Sequence, residues 1–355
     1  MYTRISFFRQ ISFPIFVGLL LASSLAAVLD SGIDVKQQPQ KQNLNVMAQE
    51  QRGISETLSS PSFNQSLSLD GTSFSIDNTT FSHHTTSVNG IQMHYVIGGK
   101  GSPVVLLHGW PQTWYEWRHI MPALAKNYTV IVPDLRGLGD SSMPATGYDG
   151  NTTAEDIYQL VNQVGFNKIY LVGHDVGAQT AYSYAAVHPN NVSKLVILDF
   201  PFSASAPNSL PGLEDCCWWF SFHQTPDIPE ALTAGKEREY LSWFYSFAYN
   251  PEAITEADID RYVSDYSAPG GVRAGFEYYR AFPINEEQNN EHFKAKLPMP
   301  VLALGGEYSF GTAVLDSIRS LAIDVHGGVV PLSGHWIAEE QPDFLIEQLA
   351  TFFSE

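Results

Sequence analysis

The stretch that most constrains this chain is Gly173-His174-Asp175-Val176-Gly177. It follows the apolar run Lys168-Ile169-Tyr170-Leu171-Val172 and precedes a helical pattern rich in Ala and Tyr. An apolar run, a glycine-flanked turn and a helix describe a tight strand-to-helix elbow, which lifts one side chain above the end of a sheet. Gly173 and Gly177 permit the turn and the close helix crossing, because they have no Cβ to collide there. The residue at the apex is Asp175.

The rest of the chain supplies elements to surround that elbow. Val88 to Val96 reads as a hairpin around Asn89-Gly90. Pro103–Leu107 and Tyr128–Val132 read as short buried strands. Thr153 to Val164 has a helical pattern with Asn151-Thr152 as its cap candidate. Lys194–Leu198, Val301–Leu304 and Gly328–Pro331 are further strands, and a last helix runs from about Gln341 to Phe353. Strands alternating with helices predict an α/β fold, a mostly parallel central sheet with helices on both faces.

Residues 203–295 break this rhythm. They are helical in pattern and rich in aromatics, including Trp218, Trp219, Phe220, Trp243, Phe244, Tyr278 and Tyr279. They read as an inserted helical cap over the strand ends, where open α/β sheets bind ligands. The expected division is a signal peptide or membrane anchor at 1–29, a low-complexity arm at 30–84, the core at 85–202 and 296–355, and the cap at 203–295.

A formal charge of -18 disfavours phosphate backbones and acidic lipid surfaces, so no nucleic-acid partner is expected. Arg4 and Arg9 precede an apolar run from Ile11 to Leu29, with Ser24-Leu25-Ala26-Ala27 as a possible cleavage site. The preferred reading is secretion. The alternative is an uncleaved anchor that places the catalytic domain in the ER lumen or outside the cell. Asn64, Asn78, Asn127, Asn151 and Asn191 are glycosylation sequons. Cys216 and Cys217 are too few for a structural zinc site; they form either a vicinal disulfide or small buried thiols. No metal or cofactor is expected, and the sequence does not set the oligomeric state.

The chemistry starts from Asp175. A carboxylate can displace a leaving group from saturated carbon and form an alkyl ester that water later cleaves at the aspartyl carbonyl. His335, in Leu332-Ser333-Gly334-His335-Trp336-Ile337 after the last strand, is the expected base. Asp199, immediately after Leu198, is the favoured acid to orient it, with Glu307 the alternative. The backbone N–H groups of Trp110 and Val176 are the expected oxyanion hole, and a cis Pro111 would fix the Trp110 amide. Trp219, His223, His108 and Trp336 are placed at the substrate site; His108 is expected to order backbone more than to move protons. His174 should point away from the Asp175 side chain.

These positions resemble the epoxide hydrolase and haloacid or fluoroacetate dehalogenase branch of the α/β-hydrolase superfamily, over about residues 85–355. The marks are His108-Gly109-Trp110-Pro111, Asp134-Leu135-Arg136-Gly137-Leu138-Gly139-Asp140-Ser141, the elbow, and Gly334-His335-Trp336. Ala234-Gly235-Lys236-Glu237 and Phe276-Glu277-Tyr278-Tyr279-Arg280-Ala281 resemble cap segments of secreted bacterial epoxide hydrolases. The resemblance implies Asp175 as nucleophile, His335 as base, and Asp199 as the acid after the strand that follows the elbow helix. The superfamily's commoner late acid would fall near Ser309, where no carboxylate stands.

Ring opening in this family uses two cap donors. Tyr279 matches one, and the other position falls on Trp219, whose indole can donate a hydrogen bond but not a proton. His223 is a possible substitute. The arginine or tryptophan that dehalogenases place after the nucleophile is replaced by Val176. The implied function is hydrolysis of a small apolar epoxide with water as co-substrate. A dehalogenase and a non-enzymatic binding protein are the alternatives.

Overall fold

The computed structural model describes residues 69–202 and 217–355. The targeting segment, most of the arm, Asn64 and Cys216 lie outside the described residues. Cys217 is disulfide-bonded.

Nine strands form one sheet: β1 Ser73–Ile76, β2 Thr79–Val88, β3 Ile91–Gly99, β4 Ser102–Leu107, β5 Tyr128–Pro133, β6 Ile169–His174, β7 Val192–Leu198, β8 Val301–Gly306 and β9 Val325–Val330. Their order is β1-β2-β3-β5-β4-β6-β7-β8-β9. The pairings β1/β2, β2/β3 and β3/β5 are antiparallel, and those from β5 to β9 are parallel.

The core therefore starts at Ser73, ahead of the expected boundary at Thr85. The pattern of β2 is masked because one inward residue is polar: Phe81 and His83 are buried on one face, and Val88 is buried on the other. His83 spends its Nδ1 on His94 Nε2 at 2.8 Å and packs its ring 5.4 Å from that of Trp114.

The parallel strands are buried on both faces, which is why they read as unbroken apolar runs. In β4, Val105 and Leu107 pack into one core, whereas Val104 and Leu106 pack into the other. The register aligns the strand ends. Leu107 pairs with Gly173, His174 with Leu198, and Leu198 with Leu304. Residues just beyond these positions, from four different strands, consequently meet at one edge of the sheet.

Helices α1 Gly150–Gln163 and α2 Val176–Val187 follow β5 and β6. The N-cap of α1 is Asp149, which accepts the Thr152 N–H at 3.1 Å, in place of the expected Asn151-Thr152. An aspartate with extended backbone here satisfies a first-turn donor, as good caps do.

Between β7 and β8 the described cap comprises α3 Trp218–Gln224, α4 Ile228–Thr233, α5 Glu237–Tyr245, α6 Glu256–Tyr266, α7 Gly271–Arg280 and α8 Phe282–His292. Tyrosine hydroxyls fasten it to the core loops. Tyr245 donates to the Pro111 carbonyl at 2.6 Å, Tyr266 to Gln112 at 3.1 Å, and Tyr278 to Arg136 at 2.9 Å. After β8 come α9 Thr312–Ile318 and, after β9, α10 Pro342–Ser354.

Candidate active site

Asp175 joins β6 to α2 with φ 51° and ψ -122°. Such a conformation is costly for a residue with a Cβ and is held by its surroundings. Close packing leaves no room for side chains nearby. A Cβ on Gly177 would lie 2.5 Å from the Leu107 and His108 carbonyls, and one on Gly109 would lie 2.7 Å from Asp175 Cβ. The two carboxylate oxygens are thereby separated in role. Oδ1 accepts the Trp110 N–H at 3.0 Å, and Oδ2 lies 3.6 Å from His335 Nε2. That second distance exceeds a direct hydrogen bond. The Trp110–Pro111 peptide is cis. Val176 opens α2, so its N–H is one of the first-turn donors that no carbonyl within the helix can satisfy.

His335 comes from the loop after β9. Its Nδ1 donates to Asp199 Oδ2 at 2.6 Å. Asp199 is fully buried directly after β7, also at positive φ, and its Oδ1 accepts the Gly306 N–H at 2.9 Å. Glu307, the alternative acid, instead accepts the Leu332 N–H at 2.9 Å and braces the base loop from outside. Glu340 braces it from inside, accepting the N–H groups of Gly334 and Trp336 at 2.9 and 3.1 Å.

The cap brings Tyr279 over this group. The Tyr279 ring stands edge-on to Trp110 at 5.3 Å, and burial, then the Asp175 charge, pushes its hydroxyl well above the usual range. It stays a neutral donor at any working pH. Trp219, the expected second donor, packs its ring among the cap aromatics. Its ring neighbours include Phe220, Trp243, Phe244 and Phe247, whereas those of Tyr279 are Trp110, Phe220, His223 and Phe282.

His223 is the polar side chain beside Tyr279, with ring centroids 4.4 Å apart. It stacks on Phe276 at 4.3 Å, and its Nε2 is hydrogen-bonded to the Tyr240 hydroxyl at 2.5 Å. Burial, with a smaller push from Arg280, lowers it to about 2. A neutral, engaged ring cannot serve as a cationic acid in place of Trp219.

Two residues expected at the substrate site are structural. His108 is fully buried, with Nε2 accepting the Leu135 N–H at 3.0 Å and Nδ1 2.9 Å from the Gly109 carbonyl. Its nitrogens serve backbone, leaving none for a ligand. Trp336 is 2 % exposed and packs behind His335, between that ring at 4.7 Å and Tyr245 at 5.5 Å. His174 points away from the Asp175 carboxylate, toward Glu116 and the His335 carbonyl.

Sequence reasoning missed Glu116, Tyr240 and Ser309. Glu116 carried one signal, a lone acid inside the aromatic stretch Trp114-Tyr115-Glu116-Trp117. Among the described residues, His94, Asp134 and Asp140 also lie close enough to share an ion. Asp134 there is committed to protein donors: the His94 ring at 2.7 Å and the N–H groups of Trp114 and Asp140 at 2.8 and 3.0 Å.

A family model described as the alpha/beta hydrolase fold matches residues 102–342, which defines the class of protein. Relatives narrow it. The chain is 40 % identical over 278 residues to the soluble epoxide hydrolase of Corynebacterium sp. strain C12, covering 77 % of this chain and 97 % of that one. The solved structure of epoxide hydrolase CorEH is similar with a TM-score of 0.74 at 39 % identity, over 77 % of this chain and 99 % of that one. The Cif epoxide hydrolase from Acinetobacter nosocomialis follows at 28 % identity and a TM-score of 0.73, over 77 % and 88 %. The chain belongs to the epoxide hydrolase family of the α/β-hydrolase fold. That kinship supports hydrolase activity.

Proposed function

We propose that this protein hydrolyses an epoxide to a diol through a covalent ester on Asp175. The observation that carries the reading is the division of the Asp175 carboxylate. One oxygen is held by the Trp110 N–H, and the other faces His335. In the first step the carboxylate attacks an epoxide carbon, the C–O bond breaks, and Tyr279 gives its proton to the departing oxygen. In the second, His335 takes a proton from water, which adds to the ester carbonyl. The Trp110 and Val176 amides stabilise the resulting oxyanion, and Asp199 holds the imidazolium. Collapse releases the diol and restores the Asp175 carboxylate, and the proton held by His335 returns to the Tyr279 phenolate. The aromatic cap favours a small apolar epoxide.

Single turnover of styrene oxide in heavy-oxygen water tests this. The first diol formed should carry no label, because its new oxygen comes from Asp175, and label should appear only in later turnovers. Full labelling of the first product would remove the covalent route. Halide release from a haloacid or haloalkane without diol formation from epoxides would favour the dehalogenase alternative.

We infer further that the chain enters the secretory route, from Arg4 and Arg9 ahead of the apolar run at 11–29. Among the described residues no helix is long and apolar enough to cross a membrane. N-terminal sequencing of the mature protein separates cleavage from anchoring.

A further inference from the structure

Glu116 is a carboxylate that the covalent chemistry leaves unused, yet it is only 1 % exposed. It lies in the helical turn Trp114–His119, against the oxyanion turn. Its Oε2 accepts the Gly109 N–H at 2.8 Å, one residue before the amide that binds Asp175. Its Oε1 lies 3.0 Å from His174 Nδ1, an ion-pair contact outside hydrogen-bond geometry, and neither of these two atoms has a hydrogen-bond partner. The other nitrogen of His174, Nε2, faces the His335 main-chain carbonyl at 2.9 Å. A neutral imidazole carries one N–H. A carboxylate at ion-pair distance on one side and a carbonyl on the other both favour a doubly protonated ring.

We propose that Glu116 and His174 are a buried positioning pair serving the hydrolytic half-reaction: Glu116 anchors the oxyanion turn through Gly109, and cationic His174 ties that turn to the His335 backbone while holding a fixed positive charge beside the nucleophile and base. The proposal rests on the covalent reading above.

The groups facing His174 come from every element around it. Glu116 comes from the turn, Asp175 from its own elbow, Asp199 from the end of β7, His108 from the end of β4 and His335 from the base loop. Burial works against the charge, but Glu116, then Asp175 and Asp199, outweigh it and raise His174 to about 9. Its ring centroid lies 4.6 Å from that of His335. A fixed positive charge there favours the oxyanion that builds on the Asp175 carbonyl during ester hydrolysis. Asp199, on the far nitrogen of His335, holds the imidazolium once water has been deprotonated. The pair thus bears on two things at once: where the oxyanion amide sits, and the charge beside it.

Single-turnover kinetics with styrene oxide, read separately for ester formation and ester hydrolysis, test the proposal in Glu116→Gln and His174→Gln. Ester formation should stay within a few-fold of wild type. Hydrolysis should slow on the order of 10²-fold, the scale expected when catalytic groups shift by about an ångström. A merely structural role would depress both steps together. Hydrolysis at the wild-type rate in the folded variants would overturn the proposal. A second measurement needs no variant: nitrogen-15 spectra of the wild-type histidine rings should show His174 protonated on both nitrogens at neutral pH, and a neutral tautomer would overturn it equally. Wild-type protein that forms no ester would instead refute the covalent reading, an outcome distinct from either.

Discussion

Ser309 donates its hydroxyl to Asp199 Oδ2 at 2.5 Å, the same oxygen that accepts His335 Nδ1–H at 2.6 Å. With the Gly306 N–H on Oδ1, the buried carboxylate has a donor on each oxygen besides the histidine. The position where the superfamily more often carries its acid thus holds a hydroxyl that steadies the acid placed earlier in the chain. Asp199→Ala should slow ester hydrolysis by roughly 10²–10³-fold, because His335 loses the partner that orients it. Ser309→Ala should stay within about tenfold, since one charge-assisted bond is lost and two remain. Glu307→Ala should do less than Asp199→Ala. A reversed ranking in single-turnover hydrolysis would move the orienting role to Glu307.

His335→Ala should separate the two half-reactions. The base acts on water, after the ester exists, so alkylation should persist while hydrolysis slows by about 10²–10⁴-fold. Intact-protein mass spectrometry should then show the mass of the substrate added to the chain, and peptide mapping should place it on Asp175. A variant that turns over at the wild-type rate with no adduct would show that His335 is not the base.

Tyr279 and Tyr240 should differ in kind. Tyr279→Phe keeps the ring against Trp110 and removes the hydroxyl, and should slow ester formation from styrene oxide by roughly 10²–10⁴-fold. Tyr240→Phe leaves His223 Nε2 buried and unpaired, which should cost about 1–3 kcal/mol of stability with a smaller effect on ester formation. Trp219→Phe should cost little in either measure, because its ring packs among other cap aromatics. Rapid-quench measurement of the adduct together with thermal melts would rank the three. An unchanged rate of ester formation from styrene oxide in Tyr279→Phe would remove Tyr279 as the proton donor.

The elbow, the parallel strands and the reactive loops were legible because each has a local signature. Glycines flank Asp175, apolar runs mark strands buried on both faces, Asp199 directly follows β7, and His335 lies in the loop after β9. Two kinds of feature were not legible. One is inward polar residues on strands: His83 in β2 hides the pattern that would have started the core at Ser73. The other is geometry set by packing along one helix face. Trp219 and His223 are four residues apart on α3, one turn along the same face, and only packing decides that the His223 ring meets Tyr279. Burial likewise turned His108 and Trp336 from presumed ligand contacts into supports, because their partners are backbone and neighbouring rings distant in sequence.

The Glu116–His174 pair should also be visible in how stability depends on pH. The His174 ring titrates near 9 when folded, against an ordinary 6.5. Between those values the folded chain holds a proton that the unfolded chain has released. The stabilisation is complete below about 6.5 and is lost as pH rises through 9, with a ceiling on the order of 3 kcal/mol. Glu339 contributes in a lower window. Burial, offset in part by Arg118, raises its carboxyl from 4.5 to about 7, so its penalty grows as pH rises through that range and is constant above it. Asp265, raised by burial to about 7, and His94, raised against burial by Asp134, add to the pH dependence, so the His174 share is read from the comparison with Glu116→Gln. The wild-type protein should lose stability steadily between about pH 7.5 and 9.5. Glu116→Gln removes the anion that contributes most to raising His174, so its curve should begin lower and run flatter. Equal slopes for the two proteins would mean that the histidine is not held as a cation by Glu116.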